Sequence, residues 1–515
     1  MKSLKTAISL FLILSSLYPL RGQQTNDKPD LSMINRIKHE EANNSGIEEL
    51  AFWLTDYAGP RLTGSSGGMR ACEIAKQKME EFGFQNIRIE EAREFNRGGW
   101  DNQKTYAAMT APYYSSLTCN PVAWTGSTDG LIRAEVVLLD IENEDEISKY
   151  KGKLGGKIIL MPSPVPVRNE INFEPLASRY TDAQLSQLAR GTLPAAVRRQ
   201  NLPSDITSAV ARRRLRNSIS ALLKSEGVAV ILNNSGTYNI PASTGAGYNQ
   251  GEPEPIAELN IPMEAYGRME RLLRHNIPVE MEIDLQNIFF PNPLIYNVIG
   301  EIPGTDKQLK DEIVLIGAHL DSWHGGTGAA DNASGCIVMM EALRILKNLN
   351  VTPRRTIRIA LWGGEEQGLN GSAGYVEKYL VDRETGKHKP GFDKFSVYFN
   401  MDNGSGRYRG IYLQQNDMVR PVFEQWLKPF EDLGCSTLTI RNTTGTDHLS
   451  FDRHGLPAFQ FIQDRLEYGR TYHTVMDTYE RLSMNDLKIN AIITASLVYN
   501  AAMRNDKLPR KEPAN

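Results

Sequence analysis

Residues 317–335 read GAHLDSWHGGTGAADNASG. Two histidines and two aspartates, His319, Asp321, His324 and Asp331, fall within thirteen positions among glycines. The preceding run, DEIVLIGA, is rich in β-branched aliphatics and predicts a buried strand; the following run, ASGCIVMMEALRILKNL, spaces its apolar residues as a helix does. A strand that opens through a polar, glycine-rich turn into a helix is the joint of an α/β layer. In such layers ligands gather beyond the carboxyl ends of the strands.

The same grammar continues outward. TIRIALWGG, FSVYFNMD and LPAFQFIQD predict strands, while SAGYVEKYL and PVFEQWLKPFEDLG predict helices. This alternation predicts a largely parallel or mixed sheet covered by helices. Toward the N-terminus, MRACEIAKQKMEEFGF places Ala71, Ile74, Ala75 and Met79 at helical spacing, and NIRIEEAREF alternates like a strand at the edge of the layer. Between these parts, AEVVLLDI, GKIILMP and GVAVILNN are short β-rich runs. They predict a second, β-rich domain over residues 125–292, inserted between an N-terminal part, 31–124, and a C-terminal part, 293–508. Within the insertion a helical segment, 176–226, carries Arg198, Arg199, Arg212, Arg213, Arg214 and Arg216. A solvated helix face is the ordinary reading of such a charge run.

At 515 residues the chain has length for more than one core, and 41% hydrophobic with 23% charged residues describes a globular protein. A net charge of -3 argues against nucleic acid as a partner. The first 22 residues place Lys2 and Lys5 before an apolar run of roughly 14 residues, the layout of a secretory signal and short for a membrane span. Export to the periplasm or beyond the cell is therefore expected, with no stable membrane partner; a homodimer is left open. Four scattered cysteines, Cys72, Cys119, Cys336 and Cys435, form neither a disulfide framework nor a metal knuckle, although a Cys72–Cys119 bridge is open. Cys336 reads as a small buried hydrophobe.

Polar residues collect after four predicted strands: His319, then Glu365 and Glu366, then Asp402, then His473 with Asp477. Singly each has a plain reading, and Asp331 before its helix reads as an N-cap. Together they make a carboxylate and imidazole set without thiolate, suited to catalytic Zn2+, with Mn2+ or Co2+ as possible substitutes. Five candidates exceed one open tetrahedral ion. They suit two ions sharing a bridging carboxylate, about 3.5 to 4 Å apart, that together activate water. Of the adjacent glutamates, one can face the ions and the other serve as general base.

HLDS at 319–322, AADNASG at 329–335, GGEEQGLNGS at 363–372, NMDNGSG at 400–406 and YHTVMDT at 472–478 resemble, in order and spacing, the di-zinc exopeptidases. That family takes in secreted aminopeptidases, plasma glutamate carboxypeptidase and glutamate carboxypeptidase II. PRLTGSSGG near residue 60 is similar to the family's N-terminal catalytic segment, and the insertion is similar to a protease-associated domain. The resemblance implies a three-layer α/β/α domain with a mixed sheet and peptide substrates cleaved at a terminus. It implies that His319 and Asp402 bind one zinc, that Glu366 and His473 bind the other, and that Asp331 bridges them. Glu365 is then the general base and afterwards the acid toward the leaving amine. Tyr472 is the donor to the oxyanion, and Asp321 and Asp477 are supports behind the ligands. Thr446, Asp447 and His448, in GTDHLSF, are substrate-pocket candidates, as are Trp323 and His324.

Aminopeptidase is the reading preferred here, with carboxypeptidase or dipeptidase as the alternative. Arg407, Arg409, Arg465 and Arg470 are candidate anchors for a free carboxylate. A receptor-like binding protein, or a glutaminyl cyclase sharing the core, is the reading of another class. Asn332 and Asn403 head glycosylation acceptors, but both adjoin proposed ligands, so glycans are not expected there.

Overall fold

The structure is a computed structural model that describes residues 27–163, 175–191, 206–235 and 240–511, with the side chains of 206–209 left aside. The expected leader, together with Arg198 and Arg199 of the basic segment, lies outside the described residues. Among the described residues no helix is long and apolar enough to cross a membrane.

Two eight-stranded sheets organise the chain. The first runs in the spatial order Gln85–Glu94, Leu294–Ile302, Thr356–Trp362, Ile313–His319, Phe395–Asn400, Ala458–Gln463, Tyr408–Tyr412 and Thr437–Thr439. Its four central strands, from Thr356–Trp362 to Ala458–Gln463, are parallel, and antiparallel pairs flank them on both sides, so the sheet is mixed. The strand Gln85–Glu94, predicted at the edge of the layer, is the outermost. Alternate residues of Ile313–His319 feed opposite faces. Val314, Ile316 and Ala318 join the core beneath the helices Ser334–Asn348 and Met484–Met503, while Leu315 packs with Trp362, Tyr375, Tyr398 and Phe451 on the other face. Helices on both faces make this the three-layer arrangement.

The second sheet runs Ser115–Ser116, Gly99–Ala111, Glu280–Phe290, Ile132–Leu138, Ile158–Leu160, Val230–Asn234, Ala257–Ile261 and Asn120–Pro121. Its long ribbon of Gly99–Ala111 against Glu280–Phe290 starts ahead of residue 125 and connects the two sheets. The basic segment contains the helices Asp182–Ala189 and Ile206–Glu226, and Arg213, Arg214 and Arg216 are exposed. All four cysteines are free, so the Cys72–Cys119 bridge is not made, and Cys336 is fully buried.

Gly317, in the central strand Ile313–His319, leaves no room for a side chain toward its neighbour. A Cβ there would lie 2.3 Å from the Ala360 carbonyl oxygen and 3.1 Å from Trp362 Nε1. Gly317→Ala should force the two strands apart two residues before His319 and cost roughly 1–3 kcal/mol of stability, measured as a lower denaturation midpoint.

Candidate functional site

Parallel register brings the strand ends level: His319 pairs with Trp362, and Gly317 pairs with Asn400. Side chains from four loops then converge. One donor atom each from His319, Asp331 and Asp402 lie within 4.8 Å of one another, and so do donors from Asp331, Glu366 and His473. Asp331 belongs to both sets and divides its oxygens between them. Its Oδ1 is 3.2 Å from His319 Nε2 and its Oδ2 is 3.1 Å from His473 Nε2. His319 Nε2 is also 3.5 Å from Asp402 Oδ1, and His473 Nε2 is 2.9 Å from Glu366 Oε2.

Asp331 is not the cap of its helix. Its backbone departs from helical angles, and it is Asn332 whose Oδ1 accepts the Gly335 N–H at 3.1 Å. With the capping done by its neighbour, the Asp331 carboxylate is released to the cluster. Asn332 is fully buried and also donates to the Met401 carbonyl, which leaves no room for a glycan. Asp477 fixes the turn by accepting from the N–H groups of Ala330 (2.6 Å) and Asp331 (2.9 Å). Arg61, from PRLTGSSGG, is buried and donates to the carbonyls of Leu54, Leu320, Thr327 and Gly328, tying the N-terminal part to the glycine-rich loop.

Asp321 supports the site differently from the expectation. His319 Nδ1 is 2.9 Å from the Asp321 backbone carbonyl, whereas the carboxylate stands 3.8 Å away. The carboxylate instead accepts from the N–H groups of Glu365 (3.1 Å) and Glu366 (3.2 Å) and from the Thr63 hydroxyl (3.0 Å). The chain can double back to make those bonds because Gly364 has a positive φ of 67°. His473 has φ 57°, uncommon for a residue with a side chain, and is held there by Ala242 N–H to its carbonyl (2.8 Å).

The other expected residues are placed as follows. Trp323 is half-buried and donates its indole N–H to Glu366 Oε2 at 2.8 Å. His324 turns toward the second sheet: its Nε2 is 2.7 Å from the Pro121 carbonyl and its ring meets Trp100 edge-on, while burial pushes its pKa down to about 4. Thr446, Asp447 and His448 are 3%, 0% and 0% exposed. Asn400 Nδ2 donates to the Thr446 hydroxyl, and His448 packs against Gln414. Tyr472 is 41% exposed and stacks on Tyr468 and beside His473. Tyr468 was not singled out from sequence. Burial first, then the carboxylates of Asp331, Asp402 and Glu366, push its phenol well above the usual range. Arg407 and Arg409, candidate carboxylate anchors, are paired with Asp486 and Asp464 respectively.

The site is crowded with negative charge. Burial, against the pull of His319 and together with Asp402, Asp447 and Glu366, pushes Glu365 up to about 11. Burial and then Asp331 push Glu366 up to about 7, against His473. Burial opposes the charged form of both histidines, but neighbouring carboxylates outweigh it: His319 rises well above its ordinary value and His473 rises to about 11. The carboxylates of Asp331, Glu365, Glu366 and Asp402 outnumber the two imidazoles that face them. Glu366 Oε1 is buried without a hydrogen-bond partner, and the donor set of carboxylate and imidazole fits divalent zinc.

A family model described as peptidase family M28 matches residues 297–498. The chain carries a domain of peptidase family M28. Carboxypeptidase Q of Mus musculus is 25% identical over 482 residues, covering 93% of this chain and 90% of that protein. Among solved structures, a peptidase M28 precursor from Shewanella amazonensis superposes with a TM-score of 0.64 at 23% identity, covering 94% of this chain and 99% of the other. A zinc aminopeptidase from Bacillus subtilis gives a TM-score of 0.52 at 19% identity, covering 90% and 96%. The M28 match starts at Asn297, in the strand beside the parallel core, and takes in every residue of the two donor sets.

Asp447 and Asp477 give this M28 site a pH signature. Burial first, then Asp321 and Asp402 against His319, raises Asp447 to about 7; burial first, then Asp331, raises Asp477 to about 7. The folded chain thus keeps protons that the unfolded chain releases near pH ~4, so stability falls as pH rises from about 4 to about 7. His473 acts in the same direction above its ordinary value, because its stabilising proton is lost as pH rises through about 11. Chelator-treated protein should therefore melt at a lower temperature near pH 8 than near pH 5.5, and Asp447→Asn should narrow the difference. A melting temperature that rises over this interval contradicts the charge assignment.

Proposed function

We propose that this M28 metallo-exopeptidase is an exported di-zinc aminopeptidase acting on the termini of peptides, with His319 and Asp402 holding one ion, Glu366 and His473 the other, and Asp331 both. The division of the two Asp331 oxygens between His319 and His473 carries the reading. Zinc held by these residues would supply Lewis acidity toward a peptide carbonyl and water, and positive charge against the carboxylates around Glu365.

The chain's own residues do the rest. Glu365, whose N–H is fixed on Asp321, takes the proton of the attacking water and delivers it to the departing amine nitrogen. Tyr472, exposed beside His473, donates to the oxyanion as the carbonyl becomes tetrahedral. The carboxylate surplus favours a substrate with a free α-amino group. With Arg407 and Arg409 occupied by aspartates, the cations available to a free carboxylate are fewer. A second reading, carboxypeptidase or dipeptidase, is favoured by the full-length match to carboxypeptidase Q. The leader in residues 1–22 supports action outside the cytoplasm.

Glu365→Gln should retain close to two metal equivalents by elemental analysis and lose about 10²–10⁴-fold in turnover. Normal turnover in that variant contradicts its role. His319→Ala and Asp331→Asn should each lower the metal content, and Asp331→Asn should disturb both ions because its carboxylate serves both sets. Aminoacyl-nitroanilides, unblocked dipeptides and N-blocked peptides, assayed side by side, separate the polarities. Cleavage of N-blocked peptides alone overturns the aminopeptidase reading.

A further inference from the structure

Glu366 differs from the other members of the cluster in what holds it. Its Oε2 lies 2.8 Å from Trp323 Nε1 and 2.9 Å from His473 Nε2, while Oε1 is buried without a hydrogen-bond partner. An indole N–H only donates, so Trp323 can bond the carboxylate but cannot compete with it for a cation. The ring is itself fixed. Its centroid is 6.5 Å from that of Trp124 at an interplanar angle of 78°, and 6.3 Å from that of His473 at 67°. Trp124 is fully buried in an apolar cluster with Leu62, Phe95 and Trp100, at the neck between the two sheets. Trp323 thus reaches from a rigid wall to one oxygen of Glu366 and to the face of the next donor.

We propose that Trp323 is a positioning residue for Glu366: its N–H holds Oε2, the oxygen 2.9 Å from His473 Nε2, and so fixes the rotation at which the carboxylate faces the cation shared with His473. This rests on the reading of Glu366 as a ligand. Without the indole N–H, Oε2 loses its one neutral donor among the described residues, and the carboxylate is free to rotate onto His473 alone. Supports of this kind behind a ligand are worth about 10–100-fold in metal affinity. The other donor set owes nothing to Trp323, since His319 is held by the Asp321 carbonyl. The effect is therefore confined to one ion.

The test uses the full-length protein and its Trp323→Phe, Glu366→Gln and doubly substituted forms. Phenylalanine keeps an aromatic ring against Trp124 and His473 and removes the N–H. Zinc binding is titrated in chelator buffers, and the visible spectrum of the cobalt-substituted protein reports the ligand field independently of activity. Trp323→Phe should weaken one metal equivalent about 10–100-fold, leave the other unchanged and alter the cobalt spectrum. In the Glu366→Gln background the same substitution should add little. Wild-type affinity for both equivalents in Trp323→Phe, beside a weakened Glu366→Gln, overturns the role of Trp323 alone, as does equal weakening of both equivalents. Glu366→Gln with both equivalents unchanged overturns the ligand reading, and the role of Trp323 with it.

Discussion

The Asp331 carboxylate, one oxygen toward His319 and the other toward His473, is the contact on which the site depends. A carboxylate buried to 5% exposure is costly unless charge or hydrogen bonds compensate it. Here compensation comes from two imidazoles, one at the end of a central strand and one on a loop more than a hundred residues later in sequence. Three neighbours make this possible without touching the donor atoms. Asn332 takes over the helix cap, Asp477 gathers the N–H groups of residues 330 and 331, and Arg61 braces the loop that leads into them. Asn332 and Asp477 accept from backbone N–H groups that would otherwise compete for the Asp331 carboxylate, and Arg61 holds the carbonyls of the approaching loop, which leaves both Asp331 oxygens to the cluster.

The central parallel strands explain why the donors meet. Strands running the same way end on the same side, and the pairing of His319 with Trp362 and of Gly317 with Asn400 sets their exits level. Gly363 and Gly364 then turn the chain back so that both glutamate N–H groups face Asp321. The fold thus supplies convergence, while short loop contacts supply orientation.

Much of this was legible in the sequence because it is written locally. The aliphatic strands, the amphipathic helices and the polar residues directly after each strand could be read from spacing. The helix Met484–Met503 was not, since it is buried on nearly every side and so lacks a polar stripe. Nor could spacing show that the Asp321 carbonyl, rather than its carboxylate, meets His319, or that Thr446 and His448 point into hydrogen bonds behind the site. A residue's adjacency to a motif says that its backbone is near. Which way its side chain turns is decided by partners such as Asn400 and Gln414, contributed by other strands and loops. Tyr468 escaped notice for the same reason: only the folded loop brings its phenol beside Asp331 and Asp402.

The two donor sets are built by different parts of the molecule. His319 and Asp402 rise directly from central strands, and His319 is 1% exposed. His473 instead sits in a loop paired to residues outside the parallel core. Pro241 bridges Thr474, Ala242 donates to the His473 carbonyl, and Ser178 bridges Leu466. Arg179 adds ion pairs to Asp464 and Asp486, both almost wholly buried. Asp464 and Asp486 also pair with Arg409 and Arg407, so Arg179 joins a network of charges already compensated without it. The segments that dock on the loop 464–478 share in the geometry of His473, whereas His319 ends a central strand and is held by the Asp321 carbonyl. The second sheet also reaches the loop between His319 and Asp331, where His324 Nε2 meets the Pro121 carbonyl, and Asp331 belongs to both donor sets, so the two halves of the site share their supports at that residue.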